Sequence, residues 1–296
     1  MNSGQKSKPG LLQPLRLPAP AKVNLRLKIT GRRPDGYHLL DMVMVKLDLA
    51  DEIALEIGGE TIEFTADREG LPTDSSNTIV RAAEIVRELS GKEFGARIRL
   101  KKRIPVAAGL GGGSSDAATV LNGLNRLLGL GWDGPRLSKA GLRIGADLPF
   151  FLAGGSQRVR GIGEVLEPME VPPLYLVLIN PGFPVSTAEA YRWYDEGGDS
   201  KGPLTSPPPL ASFPPPENDL ERVVIPRYPV LGRLKELLNR AGALGTLMSG
   251  SGPTVFGLFE SPESRDRGYK EILLQKETGW WVCRTNNLGG EDSNLD

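Results

Sequence analysis

Residues 105–118, Pro-Val-Ala-Ala-Gly-Leu-Gly-Gly-Gly-Ser-Ser-Asp-Ala-Ala, constrain this chain more than any other stretch. Gly109, Gly111, Gly112 and Gly113 strip the loop of side chains, so its backbone N–H groups can approach another molecule closely. Behind the loop, Ala117, Ala118, Val120, Leu121, Leu124, Leu127 and Leu128 recur at helical spacing. Ahead of it, Arg97-Ile98-Arg99-Leu100-Lys101 alternates as a strand. A glycine loop between a strand and a helix start offers unpaired N–H groups at the positive end of a macrodipole, a setting that suits phosphate. The alternative is a tight turn that binds nothing. Consecutive glycines are destabilising, however, unless the backbone needs unusual angles or close approach.

Two standard phosphate motifs are excluded. No lysine stands in the position that Gly-x-x-x-x-Gly-Lys-Ser/Thr requires, and Ser114 occupies the third glycine position of Gly-x-Gly-x-x-Gly. Lysine plus arginine equals aspartate plus glutamate at 36 each, so no global field recruits nucleic acid or a membrane surface. The one cysteine, Cys283, cannot form an internal disulfide, which fits a reducing compartment. No apolar run reaches membrane length and the start lacks a signal-peptide core, so a cytoplasmic protein is expected.

In chain order, residues 1–15 are polar and rich in Gly and Lys, and a disordered leader is expected. Val23, Leu25, Leu27 and Ile29 alternate with Asn24, Arg26, Lys28 and Thr30, the pattern of a half-buried strand. A turn at Arg33-Pro34-Asp35-Gly36 delivers Tyr37 and His38. Residues 42–49, 53–57 and 62–64 suggest further strands. Asn77 and Gly91 bracket a helix, and another begins at Gly134. The small residues before Ser156 mark the expected end of a first domain, residues 16–156. A second, residues 157–288, opens on the apolar strand Leu174-Tyr175-Leu176-Val177-Leu178-Ile179, and a helix–strand–helix–strand plan from Val230 to Arg284 completes an α+β sandwich. Within it, residues 197–216 are a proline-rich excursion, and residues 289–296 form a loose tail.

Several side chains could carry chemistry. Lys22 stands at the mouth of a strand, where it could neutralise a phosphoryl oxygen, although spacing alone also fits a surface lysine on a strand edge. Asp147 keeps apolar company, Gly145-Ala146-Asp147-Leu148-Pro149-Phe150, and is either a paired base or the cap of a local turn. The small-residue segment 246–254 reads as a turn, or as a backbone bracing the glycine loop. His38 is the only histidine, which excludes histidine-cluster metal sites and leaves a structural role open.

Three stretches in this order, Pro18-Ala19-Pro20-Ala21-Lys22-Val23-Asn24-Leu25, the loop at residues 109–118, and Met248-Ser249-Gly250-Ser251-Gly252-Pro253-Thr254, resemble the motifs of the GHMP kinase superfamily. The resemblance runs from about Leu17 to Leu288 and omits the proline-rich excursion. It implies a ribosomal-S5-domain-2-like N-terminal domain, a ferredoxin-like C-terminal domain and an active site between them. It further implies an ATP-dependent kinase with a small-molecule substrate, not a nucleic-acid or membrane partner, and Mg²⁺ bound mainly through the ATP phosphates beside Ser115. Asp147 matches the catalytic aspartate and Lys22 its partner. Pro105, Val106, Ala107, Ala108, Gly109, Leu110, Gly111, Gly112, Gly113, Ser114 and Ser115 match the triphosphate loop. The segment Asp35-Gly36-Tyr37-His38, usually missing from members that phosphorylate homoserine or mevalonate derivatives, implies an acceptor with a cytosine end and a tertiary C2 hydroxyl, from the non-mevalonate isoprenoid pathway. Asn24, Tyr37 and His38 match that pocket, with Thr187 and Tyr191 as contacts from the C-terminal side. The alternatives are a homoserine-type or mevalonate-type kinase and, in another class, a non-catalytic nucleic-acid-binding protein of the same N-terminal fold.

Overall fold

The computed structural model describes residues 13–197 and 216–289. Most of the expected leader, the proline-rich excursion and the tail lie outside those residues. The first half is built from β1 (Leu15–Arg32), β2 (His38–Ile57), β3 (Ile62–Ala66), α1 (Thr78–Ser90), β4 (Ala96–Lys101), α2 (Gly112–Leu127), α3 (Gly134–Leu142), α4 (Leu148–Leu152), β5 (Ser156–Gly161) and β6 (Val165–Met169). The second half contains β7 (Tyr175–Asn180), α5 (Thr187–Gly197), β8 (Glu217–Asn218), α6 (Glu221–Arg227), α7 (Pro229–Arg240), β9 (Gly245–Met248), β10 (Val255–Phe259), α8 (Pro262–Leu274) and β11 (Trp281–Asn286).

Two sheets result, both with helices packed on them. Seven strands join in the first, β3-β4-β2-β1-β8 with the β5–β6 hairpin attached to β2. The second has the order β11-β7-β10-β9 and is antiparallel throughout. Numbered within that sheet, the order is fourth, first, third, second, as the ferredoxin-like expectation requires. Side chains of β7 alternate between two cores: Leu176 and Leu178 meet Ala21, Val23 and Leu25 of β1, while Val177 and Ile179 face the helices.

The half-buried strand expected around Val23 is instead buried on both faces. Bulges between Pro20 and Lys22 and between Asn24 and Arg26 flip the pleat of β1 twice. Leu17 and Ala19 therefore point to one core, Ala21, Val23 and Leu25 to the other, and Leu27 back to the first. Asn24 and Arg26, read as part of the polar face, are buried as well, and so is Lys22 just before them. Residues 42–49 and 53–57, expected as separate strands, form one continuous β2. Beyond Ser156, β5 pairs with β2 and β6 with β5, so the first sheet runs on to Met169. The 246–254 segment is a loop only from Ser249, since Gly245–Met248 is strand β9 paired to β10. α5 and α6, within half-apolar and charged sequence, were not anticipated.

Candidate active site

The glycine loop lies where its flanking elements predict, between β4 and α2. Gly111 caps α2 in the left-handed region, at φ 71°, and Ala107 also takes φ 51°, a conformation few side-chain-bearing residues adopt. Close approach explains two of the glycines. A Cβ at Gly109 would sit 2.2 Å from the Ser249 carbonyl oxygen, and one at Gly111 would sit 2.6 Å from Phe151 Cζ. Ser249 Oγ donates to Gly109 O at 2.8 Å, so the second small-residue loop does brace the first. Asn218 in turn holds that brace, with Nδ2 donating to Met248 O at 2.7 Å and Gly250 O at 2.8 Å. Buried Glu221 accepts the Met248 N–H at 2.6 Å and pairs with Lys235 at 2.6 Å.

Both ends of the glycine loop are tied to one buried ammonium. Lys102 Nζ contacts Asp51 at 2.5 Å and Asp116, in the first turns of α2, at 2.7 Å. Asp51 also accepts the N–H groups of Arg103 at 2.6 Å and Ile104 at 2.9 Å, where the chain enters the loop. The two carboxylates hold Lys102 charged against the cost of its burial. Burial pushes Asp116 up to about 7, with Lys102 opposing and Asp51 adding to the shift.

A cavity of about 1030 Å³ opens above the loop. Its wall gathers Lys22, Asn24, Tyr37, His38, Asp147, Thr187 and Tyr191 with loop residues 105–109 and 111–114. Leu110 and Ser115 face inward instead. Leu110 packs in the core, and the Ser115 hydroxyl is buried with no hydrogen-bond partner among the described residues. Lys22 is buried, not a surface lysine, and its Nζ donates to Asn24 Oδ1 at 2.6 Å. Burial lowers its pKa, and the charge of Asp147 acts in the opposite sense. Asp147 stands at the start of α4 without a side-chain capping bond, so the Asx-cap alternative fails and its carboxylate remains on the cavity wall.

His38 begins β2 and stacks on Tyr191, ring centroids 4.9 Å apart. Tyr37, at 61% exposure, sits at the rim. Burial, and then the charge of Asp147, raise the Tyr191 hydroxyl above its ordinary pKa. Thr187 Oγ1 lies 2.9 Å from Ser251 Oγ, joining α5 to the bracing loop.

Sequence reasoning missed Lys46, Lys102, Asn218 and Asp195. Lys46 had a signal, a lone cation in the apolar run Met42-Val43-Met44-Val45-Lys46-Leu47. Its Nζ donates to Phe151 O at 3.1 Å and Ala153 O at 2.5 Å, at the end of the helix that Asp147 begins. Nothing local marks Lys102, Asn218 or Asp195.

A phosphate-shaped loop facing a lysine and a carboxylate across one cavity describes a small-molecule phosphotransferase. The profile described as GHMP kinases N terminal domain matches residues 77–155, and that described as GHMP kinases C terminal matches residues 212–275. The chain is 52% identical over 282 residues to the 4-diphosphocytidyl-2-C-methyl-D-erythritol kinase of Geobacter metallireducens, covering 94% of this chain and 100% of that protein. The namesake from Geobacter sulfurreducens is 48% identical with the same coverage. Among solved structures, a crystal structure of 4-(cytidine 5'-diphospho)-2C-methyl-D-erythritol kinase aligns with TM-score 0.78 and 36% identity over 93% of this chain and 100% of that one. A homoserine kinase from Cytophaga hutchinsonii aligns with TM-score 0.67 over 98% and 99% of the two chains, but at 22% identity it shares the fold alone. The chain belongs to the GHMP kinases and, within them, to the 4-diphosphocytidyl-2-C-methyl-D-erythritol kinase family.

Proposed function

We propose that this enzyme transfers the γ-phosphoryl group of ATP to the C2 hydroxyl of 4-diphosphocytidyl-2-C-methyl-D-erythritol, in isoprenoid precursor synthesis. The observation that carries this reading is one cavity walled by the glycine loop, by Lys22 and Asp147, and by the His38–Tyr191 stack. Residues 105–115 would cradle the triphosphate against the free N–H groups that open α2. Asp147 would accept the proton of the attacking hydroxyl as its oxygen bonds to the γ-phosphorus and the bond to the ADP oxygen breaks. Lys22 would polarise that hydroxyl and offset the charge of Asp147. Asn24, Tyr37, His38, Thr187 and Tyr191 would hold the cytidine-bearing substrate, the last two from the C-terminal half.

Mg²⁺ fits this site as a companion of the nucleotide. The hydroxyls at the start of α2 are that of Ser114, a residue of the cavity wall, and that of Ser115 behind it, which has no hydrogen-bond partner among the described residues. When bound, the ion would neutralise phosphate charge. Among the described residues no helix is long and apolar enough to cross a membrane.

An ADP-release assay tests the proposal, with the cytidine-diphosphate substrate, homoserine and mevalonate as competing acceptors. Turnover confined to the first is expected. Preference for either of the others would reassign the acceptor.

A further inference from the structure

Asp195 is a polar residue of the cavity that no motif indicates. It lies on α5, one turn beyond Tyr191. Asp195 Oδ1 is 2.7 Å from His38 Nε2, and Oδ2 is 3.2 Å from Arg32 Nη1. Arg32 is itself tethered, its Nε donating to Gly36 O at 3.1 Å in the turn that delivers His38. The imidazole is clamped by Tyr191 on one face and meets the Tyr194 ring edge-on, at 6.2 Å. Arg32, His38, Tyr191 and Asp195 all line the cavity.

A carboxylate only accepts hydrogen bonds, so the proton in the His38–Asp195 contact belongs to Nε2. In the neutral imidazole, Nδ1 then carries a lone pair. No hydrogen bond among the described residues occupies that nitrogen. We infer that Asp195 is a positioning residue that sets the tautomer of His38, so that His38 accepts from the exocyclic amine of a cytosine and turns away a uracil. This rests on the cytidine-bearing acceptor of the proposed function. Cytosine presents an amine donor where uracil presents a carbonyl oxygen. An acceptor facing that oxygen leaves two lone pairs opposed and both groups unpaired. Arg32 contributes by holding the carboxylate in the orientation that reaches Nε2.

Asp195→Asn tests this at a part-exposed position on a helix end. An asparagine can present either its oxygen or its amine to Nε2, so the tautomer is no longer imposed. The ratio of kcat/KM for the cytidine-diphosphate substrate over its uridine-diphosphate counterpart should fall by about tenfold, the order of one hydrogen bond left unmade. KM for ATP and the melting temperature should stay as in the wild type, which a merely structural role for Asp195 would not predict. The chain contains one histidine, so long-range ¹H–¹⁵N correlation on ¹⁵N-histidine-labelled protein reads the tautomer without assignment. The wild type should show the proton on Nε2 alone. An unchanged base preference in Asp195→Asn, or a wild-type imidazole protonated at Nδ1, would overturn the inference. Turnover of neither substrate by the wild type would overturn the kinase assignment and this inference together, so the two failures are distinguishable.

Discussion

Lys22 and Lys46 face each other across β1 and β2 as register partners, and both side chains are buried. Opposed residues of an antiparallel pair share one face of the sheet, so two ammonium groups start from adjacent positions. They part by taking different acceptors. Lys22 turns to Asn24, and Lys46 to the carbonyls of Phe151 and Ala153 that close α4. One cation is thereby left on the cavity wall, and the other secures the short helix that begins at Asp147.

The buried Lys46 makes stability depend on pH in a definite sense. Burial lowers its pKa to about 8, against 10.5 ordinarily. Between those values the unfolded chain binds more protons than the folded one, so this group's contribution to stability rises with pH. The difference in unfolding free energy, wild type minus Lys46→Met, should therefore grow between about pH 7.5 and about pH 9.5 in urea titrations. A difference that shrinks over that interval would contradict the assignment.

Lys102→Met would leave Asp51 and Asp116 facing each other in the interior with no counter-charge. Removing one partner of a buried ionic cluster costs about 3–5 kcal/mol. The loss should be visible as a lowered denaturation midpoint. Because the cluster ties both ends of the glycine loop, KM for ATP should rise as well, with KM for the acceptor much less affected.

Gly111→Ala meets two obstacles at once, φ 71° and an aromatic carbon 2.6 Å from the new Cβ. Left-handed strain and overpacking cost about 1–3 kcal/mol each. Weakened ATP binding and a lower melting temperature are expected. Gly129→Ala, also at positive φ but with open space around it, should lower the melting temperature without touching ATP affinity.

Asp147→Asn should reduce kcat by about a hundredfold or more, the size of a lost general base, while ATP still binds. Wild-type turnover would remove Asp147 from the chemistry. Tyr37→Ala, at the exposed rim, should instead raise KM for the cytidine substrate with less effect on kcat. An unchanged KM would place Tyr37 outside the substrate's reach.

What could be read in the chain was local. The glycine run, its strand and its helix are consecutive, so backbone freedom, alternation and helical spacing sufficed to locate a phosphate-type loop. The Asn77 cap and the apolar strand β7 were legible for the same reason. The tertiary structure decided everything that depends on distant segments meeting. Two bulges, which alternation cannot reveal, buried both faces of β1 and turned Lys22 from a plausible surface lysine into a cavity residue. Lys102, one residue past β4, gives no local sign of the partners that close on it, Asp51 from β2 and Asp116 from α2. Asp195 reaches His38 across 157 residues of chain. Sequence spacing carries information over a few turns of helix or strand. A carboxylate's partner is set by which surfaces pack, and that is a property of the folded chain alone.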